Sequence, residues 1–219
     1  MSSANSPSTY SPKPMGWWER NMVPKIIGCC CAQPQIMKAR SRVVPKADGD
    51  VLELGCGGGI NLGFYDRNRV KTLTGLDPSP GLLDQTRAMM QQTGIEADIH
   101  AGIGEAMPFE AARFDTILVT FTLCSVHDPK QVLAEMRRVL RPNGKVLFLE
   151  HGAAPDKGVA RAQRFIEPLW KRIGGNCHLT RPITGNYEQA GFKIAEADKG
   201  YMPKTPRPFA WLEWGEARI

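Results

Sequence analysis

Residues Val51-Leu52-Glu53-Leu54-Gly55-Cys56-Gly57-Gly58-Gly59 read as an apolar strand running directly into a glycine loop. Few local signals restrict a chain more. Glycines at such a turn let the backbone adopt dihedrals closed to other residues and let a ligand approach the main chain. The loop needs a strand before it and a helix after it, and that pair is the founding unit of a helix-covered sheet.

The remainder obeys the same plan. After Pro45, short apolar runs alternate with helix-like segments, the pattern of a parallel sheet buried on both faces. Strands are predicted over 51–54, 72–76, 97–100, 114–119 and 145–150. Ser79-Pro80 and Asp128-Pro129 are helix starts, Gly94 is a helix stop, and Arg141-Pro142-Asn143-Gly144 ends the second helix and turns into the next strand. Beyond residue 150 the spacing predicts helices near 159–173 and 184–190. Runs 192–197 and 209–214 are predicted to pair as a terminal hairpin across the Pro-rich loop 202–208.

Composition allows one such domain of 219 residues, with 42% hydrophobic residues to fill its core. The net charge of +6 is concentrated: residues 1–47 carry seven bases against one acid, Glu19. Residues 1–14 are Ser/Pro-rich and read as a disordered tail, and 15–47 as a helical cap over the active site, preceding a catalytic domain at 48–219. Bases confined to one Trp-bearing segment fit a peripheral membrane contact through 15–45; a nucleic-acid binder spreads them over a groove or sheet. No run approaches the roughly 20 apolar residues of a membrane span, and the expected compartment is the cytoplasm. Cys29-Cys30-Cys31, Cys56, Cys124 and Cys177 have neither disulfide-framework nor zinc spacing, so free thiols and no metal are expected.

Two acids decide what the glycine loop binds. A pyrophosphate ligand would be repelled by a carboxylate fixed beside the loop, and Glu53 occupies that place. Asp77 ends the second strand 24 positions later, where an acid accepts hydrogen bonds from ribose hydroxyls. A ribose, cationic groups and no phosphate describe S-adenosylmethionine. The runs 51–59, Leu76-Asp77-Pro78-Ser79, Glu105-Ala106-Met107-Pro108-Phe109, Phe114-Asp115 and 140–144 together resemble a class I S-adenosylmethionine-dependent methyltransferase.

That resemblance implies an α/β fold: a three-layer αβα, Rossmann-like, seven-stranded, mostly parallel sheet with one antiparallel C-terminal strand. It also implies roles. Gly55, Gly57 and Gly59 would line the cofactor, Glu53 would support the loop and the methionine end, and Asp77 would bind the ribose. Cys56, Pro78 and Thr120 complete the set. Relatives carry an acid for the adenine amino group where this chain has Ile103, so Gly104 and Glu105 are assigned that duty.

The acceptor side is expected beyond the fourth and fifth strands. No Asn/Asp-Pro-Pro-aromatic or Pro-Cys turn marks it, which removes the best-marked DNA and RNA methyltransferases. Leu123-Cys124-Ser125-Val126, Glu150-His151, the run 165–170 and Cys177-His178-Leu179-Thr180-Arg181 resemble the group that includes alkyl-thiol S-methyltransferases. The resemblance implies methyl transfer to a small-molecule thiol, with N-methylation of a phospholipid amine or C-methylation of a quinol as rivals of the same chemistry. A cofactor-binding module without catalysis and a nicotinamide-dependent oxidoreductase are rivals of other classes. A thiol is mostly protonated at neutral pH, so a base is wanted. His178 and His127 are the first candidates and His151 the third.

Overall fold

The computed structural model describes residues 33–219. The tail at 1–14, the first part of the expected cap, Trp17-Trp18 and the Cys29–Cys31 run lie outside the described residues. The described chain begins with α1 (Pro34–Val43) and a 3-10 turn (Val44–Lys46), then follows β1 (Gly49–Leu54), β2 (Val70–Asp77), α2 (Pro80–Thr93), β3 (Asp98–Ala101) and β4 (Phe114–Thr120). The second half contains α3 (Pro129–Val139), β5 (Leu140–His151), α4 (Lys157–Ile173), α5 (Ile183–Gln189), β6 (Lys193–Tyr201), α6 (Arg207–Ala210) and β7 (Trp211–Arg218).

The strands form one seven-stranded sheet in the order β3-β2-β1-β4-β5-β7-β6. The pairs β1–β2, β1–β4, β2–β3 and β4–β5 are parallel, and β7 runs antiparallel to both β5 and β6. The mostly parallel sheet with an antiparallel C-terminal strand follows the fold expected above. Order reverses between β1 and β4, so the crevice for a ligand opens beyond their carboxyl ends.

Strand alternation builds the two cores. Leu52, Leu54, Ile117, Val119, Val146 and Phe148 face α3 and α5, with Phe148 stacked on Tyr187 at 4.9 Å between ring centroids. Val51, Leu118, Leu147 and Leu149 face the other way, onto Ile36, Val43 and Val44 of the N-terminal elements. By the same period of two, Glu53 and Thr120 point toward the α1 side. Both polar side chains are therefore carried into the buried layer that Val51 and Leu118 of the same strands enter.

Local signals hold with some shifts. Asp128 caps α3, its Oδ1 accepting the amides of Lys130 and Gln131 at 2.9 and 3.1 Å. Gly94 closes α2 with φ +64°. The predicted turn at 141–144 is drawn into β5 as an irregularity, because Leu140 still pairs with Phe114 before the register resumes at Lys145. The terminal hairpin is displaced toward the C-terminus: Arg207–Ala210 forms a helical turn, and β7 pairs with β5 from Lys145–Arg218 to His151–Leu212. Pairing with a central strand, rather than local propensity, sets that register. No described helix is long and apolar enough to cross a membrane.

Candidate active site

The loop after β1 folds back on the end of β2, where the carbonyl of Leu76 accepts the amides of Gly55 and Cys56 at 2.8 and 3.3 Å. Gly55 has φ +72°, and a Cβ there would stand 2.1 Å from the Thr122 hydroxyl, so glycine lets β1 exit against the segment that follows β4. Gly57 has φ +55°, and a Cβ would meet nothing nearer than 4.0 Å. Only the backbone conformation demands glycine there; the space above it is open. Gly59 instead packs, its would-be Cβ within 3.2 Å of Thr86 and Met89.

Asp77 faces this loop. Its Oδ2 accepts the Gly57 amide at 3.0 Å and its Oδ1 the Ser79 amide at 2.9 Å. Each oxygen keeps a second lone pair, which is what a vicinal diol would use. Burial raises its pKa, against those two amides.

Glu53 is 3% exposed, and each of its oxygens accepts one hydrogen bond. Asn61 Nδ2 donates to Oε1 at 2.8 Å and the Tyr65 hydroxyl to Oε2 at 2.7 Å. Above it, Arg40 of α1 donates through Nη1 to Asn61 Oδ1 at 2.7 Å and to Thr120 Oγ1 at 2.8 Å, and Asn61 Nδ2 also reaches Thr120 Oγ1 at 3.0 Å. Arg40 is 4% exposed, and its guanidinium carbon lies 5.1 Å from the centre of the Phe121 ring. Loss of water pushes the Glu53 pKa up to about 7, even though Tyr65, Asn61 and Arg40 all favour its charged form. A buried acid whose charge is incompletely compensated is a good electrostatic match for a cation delivered by a ligand.

Beyond β4 and β5 a second buried acid organises the backbone. Glu150 accepts the amides of Thr122, Leu123 and Cys124 at 2.8, 2.9 and 3.1 Å. Arg181 grips the same loop from outside, donating to the carbonyls of Leu123 and, at 2.7 Å, of Val126. Phe121 is held at φ +54°, a left-handed conformation that an aromatic residue rarely adopts. Its ring meets His151 at 5.0 Å. The Nδ1 of His151 is buried with no described residue bonded to it, and burial lowers the imidazole pKa to about 4.

The expected site residues separate into groups. Glu53, Gly55, Gly57, Asp77 and Thr120 converge on the crevice between β1 and β4. Cys56 is buried beneath Gly75, and Gly104 beneath Val132, where added atoms would crowd the packing. Glu105 spends Oε1 on the amides of His127 and Asp128, at 2.9 and 3.2 Å, and so braces the entry to α3. Pro78 is exposed on the turn into α2. His127 is exposed; His178 is half-buried, with Nδ1 3.3 Å from Glu167 Oε1, and burial lowers its pKa. Neither joins the Phe121–Arg40 cluster, whereas His151 does. Phe121 lies in the segment after β4 where the acceptor is expected, whereas Arg40, Asn61 and Tyr65 carry no such mark, Arg40 being 80 positions from its partner Thr120. Only the polar Asn61 and Tyr65, 8 and 12 residues after Glu53, offered a local hint.

A raised Glu53 pKa means that the folded state holds this proton more tightly than the unfolded chain, where the ordinary value is 4.5. The stability it contributes is complete below that value and is lost as pH rises through about 7. Glu53→Gln, which cannot titrate, is therefore expected to lose less stability than the wild type between those limits. Urea unfolding at a series of pH values checks this; parallel curves for the two proteins would contradict it.

Residues 52–148 match the family model described as a methyltransferase domain. The chain is 37% identical over 169 residues to the thiol S-methyltransferase TMT1B of Rattus norvegicus, covering 75% of this chain and 66% of that protein. It is 33% identical over 172 residues to the thiol S-methyltransferase TMT1A of Homo sapiens, covering 76% and 67%. The chain thus spans about two thirds of the length of these relatives. An S-adenosylmethionine-dependent methyltransferase from Mesorhizobium loti superposes with a TM-score of 0.65 at 18% identity, over 86% of this chain and 99% of that one. An open glycine loop, a diol-ready Asp77 and an under-compensated Glu53 fit the cofactor that such a family uses. The chain belongs to the class I S-adenosylmethionine-dependent methyltransferases, a family whose methyl donor is S-adenosylmethionine.

Proposed function

We propose that this protein methylates the sulfur of a small thiol. The observation that carries the reading is the 37% identity to TMT1B over most of the described chain. The half-buried imidazole of His151, whose Nδ1 is bonded to no described residue, lies at the acceptor end of the sheet and supports it.

When bound, S-adenosylmethionine supplies a methyl group on a sulfonium, a good leaving group. The chain's own contribution is to hold, align and dry the reactants. Asp77 would hold the ribose hydroxyls and Gly57 would admit the cofactor against the main chain. Glu53 would meet positive charge at the methionine end, surrendering its proton as that charge arrives. On the acceptor side, a thiol of pKa about 8.5 is only a few per cent thiolate at pH 7. His151 is neutral throughout that range, and its Nδ1 lone pair can accept the thiol proton. Protonating so enclosed an imidazole is unfavourable by itself, but the thiolate left beside it supplies the compensating charge. The Phe121 ring, 5.0 Å from the imidazole, would help keep water from the pair.

The deciding experiment is release of S-adenosylhomocysteine by the purified protein with and without a small alkyl thiol, with the S-methyl product identified by mass. Thiol-dependent release supports the reading. Cofactor binding with methylation of a phospholipid amine or a quinol, and none of thiols, would overturn it. Asp77→Ala is expected to weaken cofactor binding about tenfold to hundredfold, measured by calorimetry, and to lower turnover with it, since it removes charge-assisted hydrogen bonds. Retained affinity would contradict the placement of the ribose. His151→Phe is expected to leave cofactor affinity unchanged and to reduce turnover at pH 7 by about a hundredfold. That deficit should shrink above pH 8.5 or so, where thiolate forms unaided; a deficit constant with pH would reduce His151 to packing.

A further inference from the structure

Among the described residues, the large hydrophobic side chains that stand exposed are Phe165 at 87% and Leu169 at 62%. Both belong to α4 and lie four residues apart, hence one above the other on a single face. The helix is fixed by its opposite face. Gln163 accepts the Ala154 amide at 2.9 Å and donates to the carbonyls of Gly152 and Pro208 at 3.1 Å each. Glu167 accepts the Thr180 amide at 2.8 Å, and the Trp170 ring meets Phe209 at 4.7 Å. With 163, 167 and 170 turned inward, 161, 165, 168, 169 and 172 share the outward face by helical spacing.

That outward face carries charge of one sign. α4 contains Lys157, Arg161, Arg164, Lys171 and Arg172, and its one acid, Glu167, is turned inward onto the loop that holds His178. Arg161 and Arg172 stand a turn before and a turn after the exposed apolar pair on the same face. Phe165 at 87% exposure protrudes; it does not floor a groove into which a peptide could lie. Protruding apolar side chains within a ring of cationic ones match a surface that accepts insertion and bears negative charge.

We infer that α4 is a membrane-docking face: Phe165 and Leu169 insert at the boundary between head groups and acyl chains of an anionic bilayer, while Arg161, Arg164 and Arg172 bind its acidic head groups. α4 begins six residues after β5 ends, at the carboxyl edge of the sheet, so docking there turns the acceptor end toward the bilayer. This inference does not depend on which acceptor is methylated.

The test is co-sedimentation of the full-length chain with vesicles of phosphatidylcholine alone and of phosphatidylcholine mixed with phosphatidylserine, at low and high salt. Wild type is expected to bind the mixed vesicles, and more weakly as salt rises. Phe165→Ser/Leu169→Ser is expected to lower that affinity about tenfold or more, by removing the inserted area. Arg161→Glu/Arg164→Glu is expected to lower it similarly on mixed vesicles while leaving any binding to phosphatidylcholine alone unchanged. Because these side chains are exposed, thermal unfolding should be unaltered in both variants, which separates lost docking from lost folding. Vesicle binding equal to wild type in both variants would overturn the proposal, since another segment would then carry the contact. Absence of vesicle binding with self-association abolished by Phe165→Ser/Leu169→Ser would also overturn it, in favour of a second copy on this face.

Discussion

A carboxyl group buried to 3% exposure between a sheet and a helix must be either paired or neutral, and the site is built around that constraint at Glu53. Its own strand places it there, because the alternation that sends Leu52 and Leu54 into one core sends Val51 and Glu53 toward the other. Asn61 and Tyr65 satisfy its oxygens, Arg40 supplies the counter-charge through Asn61, and Thr120 accepts from both Arg40 and Asn61. One network thus ties the N-terminal helix, the segment after the glycine loop and two adjacent strands to a single acid. Breaking such a network by deleting one member costs about 3–5 kcal/mol, because the remaining groups stay buried without partners. The arrangement holds its parts in fixed positions while loss of water lifts the Glu53 pKa to about 7, so a cationic ligand beside it would favour the ionised form.

The acceptor end repeats the device with backbone in place of side chains. Glu150 gathers three successive amides and Arg181 two carbonyls from the loop at 121–126, which has no regular structure of its own. A loop clamped from both sides can sustain an unfavourable dihedral, and Phe121 has one. Its ring lies between Arg40 and His151, so the donor and acceptor halves meet through one aromatic side chain. α4 covers the acceptor half from outside, with its polar inner contacts committed and its apolar outer ones unused.

Much of this was legible in the sequence, for reasons that differ by residue. The glycine loop and Asp77 were readable because backbone geometry and ligand chemistry restrict both the residue types and their spacing. The capping by Asp128 was readable because it is local. The registers of β5 and β7 were not, since a long strand pairing with a central neighbour overrides the turn chemistry of 141–144 and the apolar run beginning at Phe209. The sequence assigns Glu105 to the adenine, and in the structure its Oε1 accepts two amides 22 and 23 positions away. Arg40 looked like one more base in a basic segment. Nothing in its neighbours marks it as buried, and only the approach of α1 to Thr120 and Asn61 gives it a role.

Glu53 holds its proton up to a pKa of about 7 and would release it to solvent when the cofactor's positive charge binds beside it. Carbon-13 NMR of the glutamate carboxyl groups tests this directly, with Glu53→Gln identifying the resonance. One carboxyl titrating near pH 7 in the free protein, shifting to lower pH with S-adenosylmethionine and much less with uncharged-sulfur S-adenosylhomocysteine, is the predicted result. A Glu53 resonance that titrates with the ordinary glutamates, or one indifferent to the sulfonium, would contradict the account.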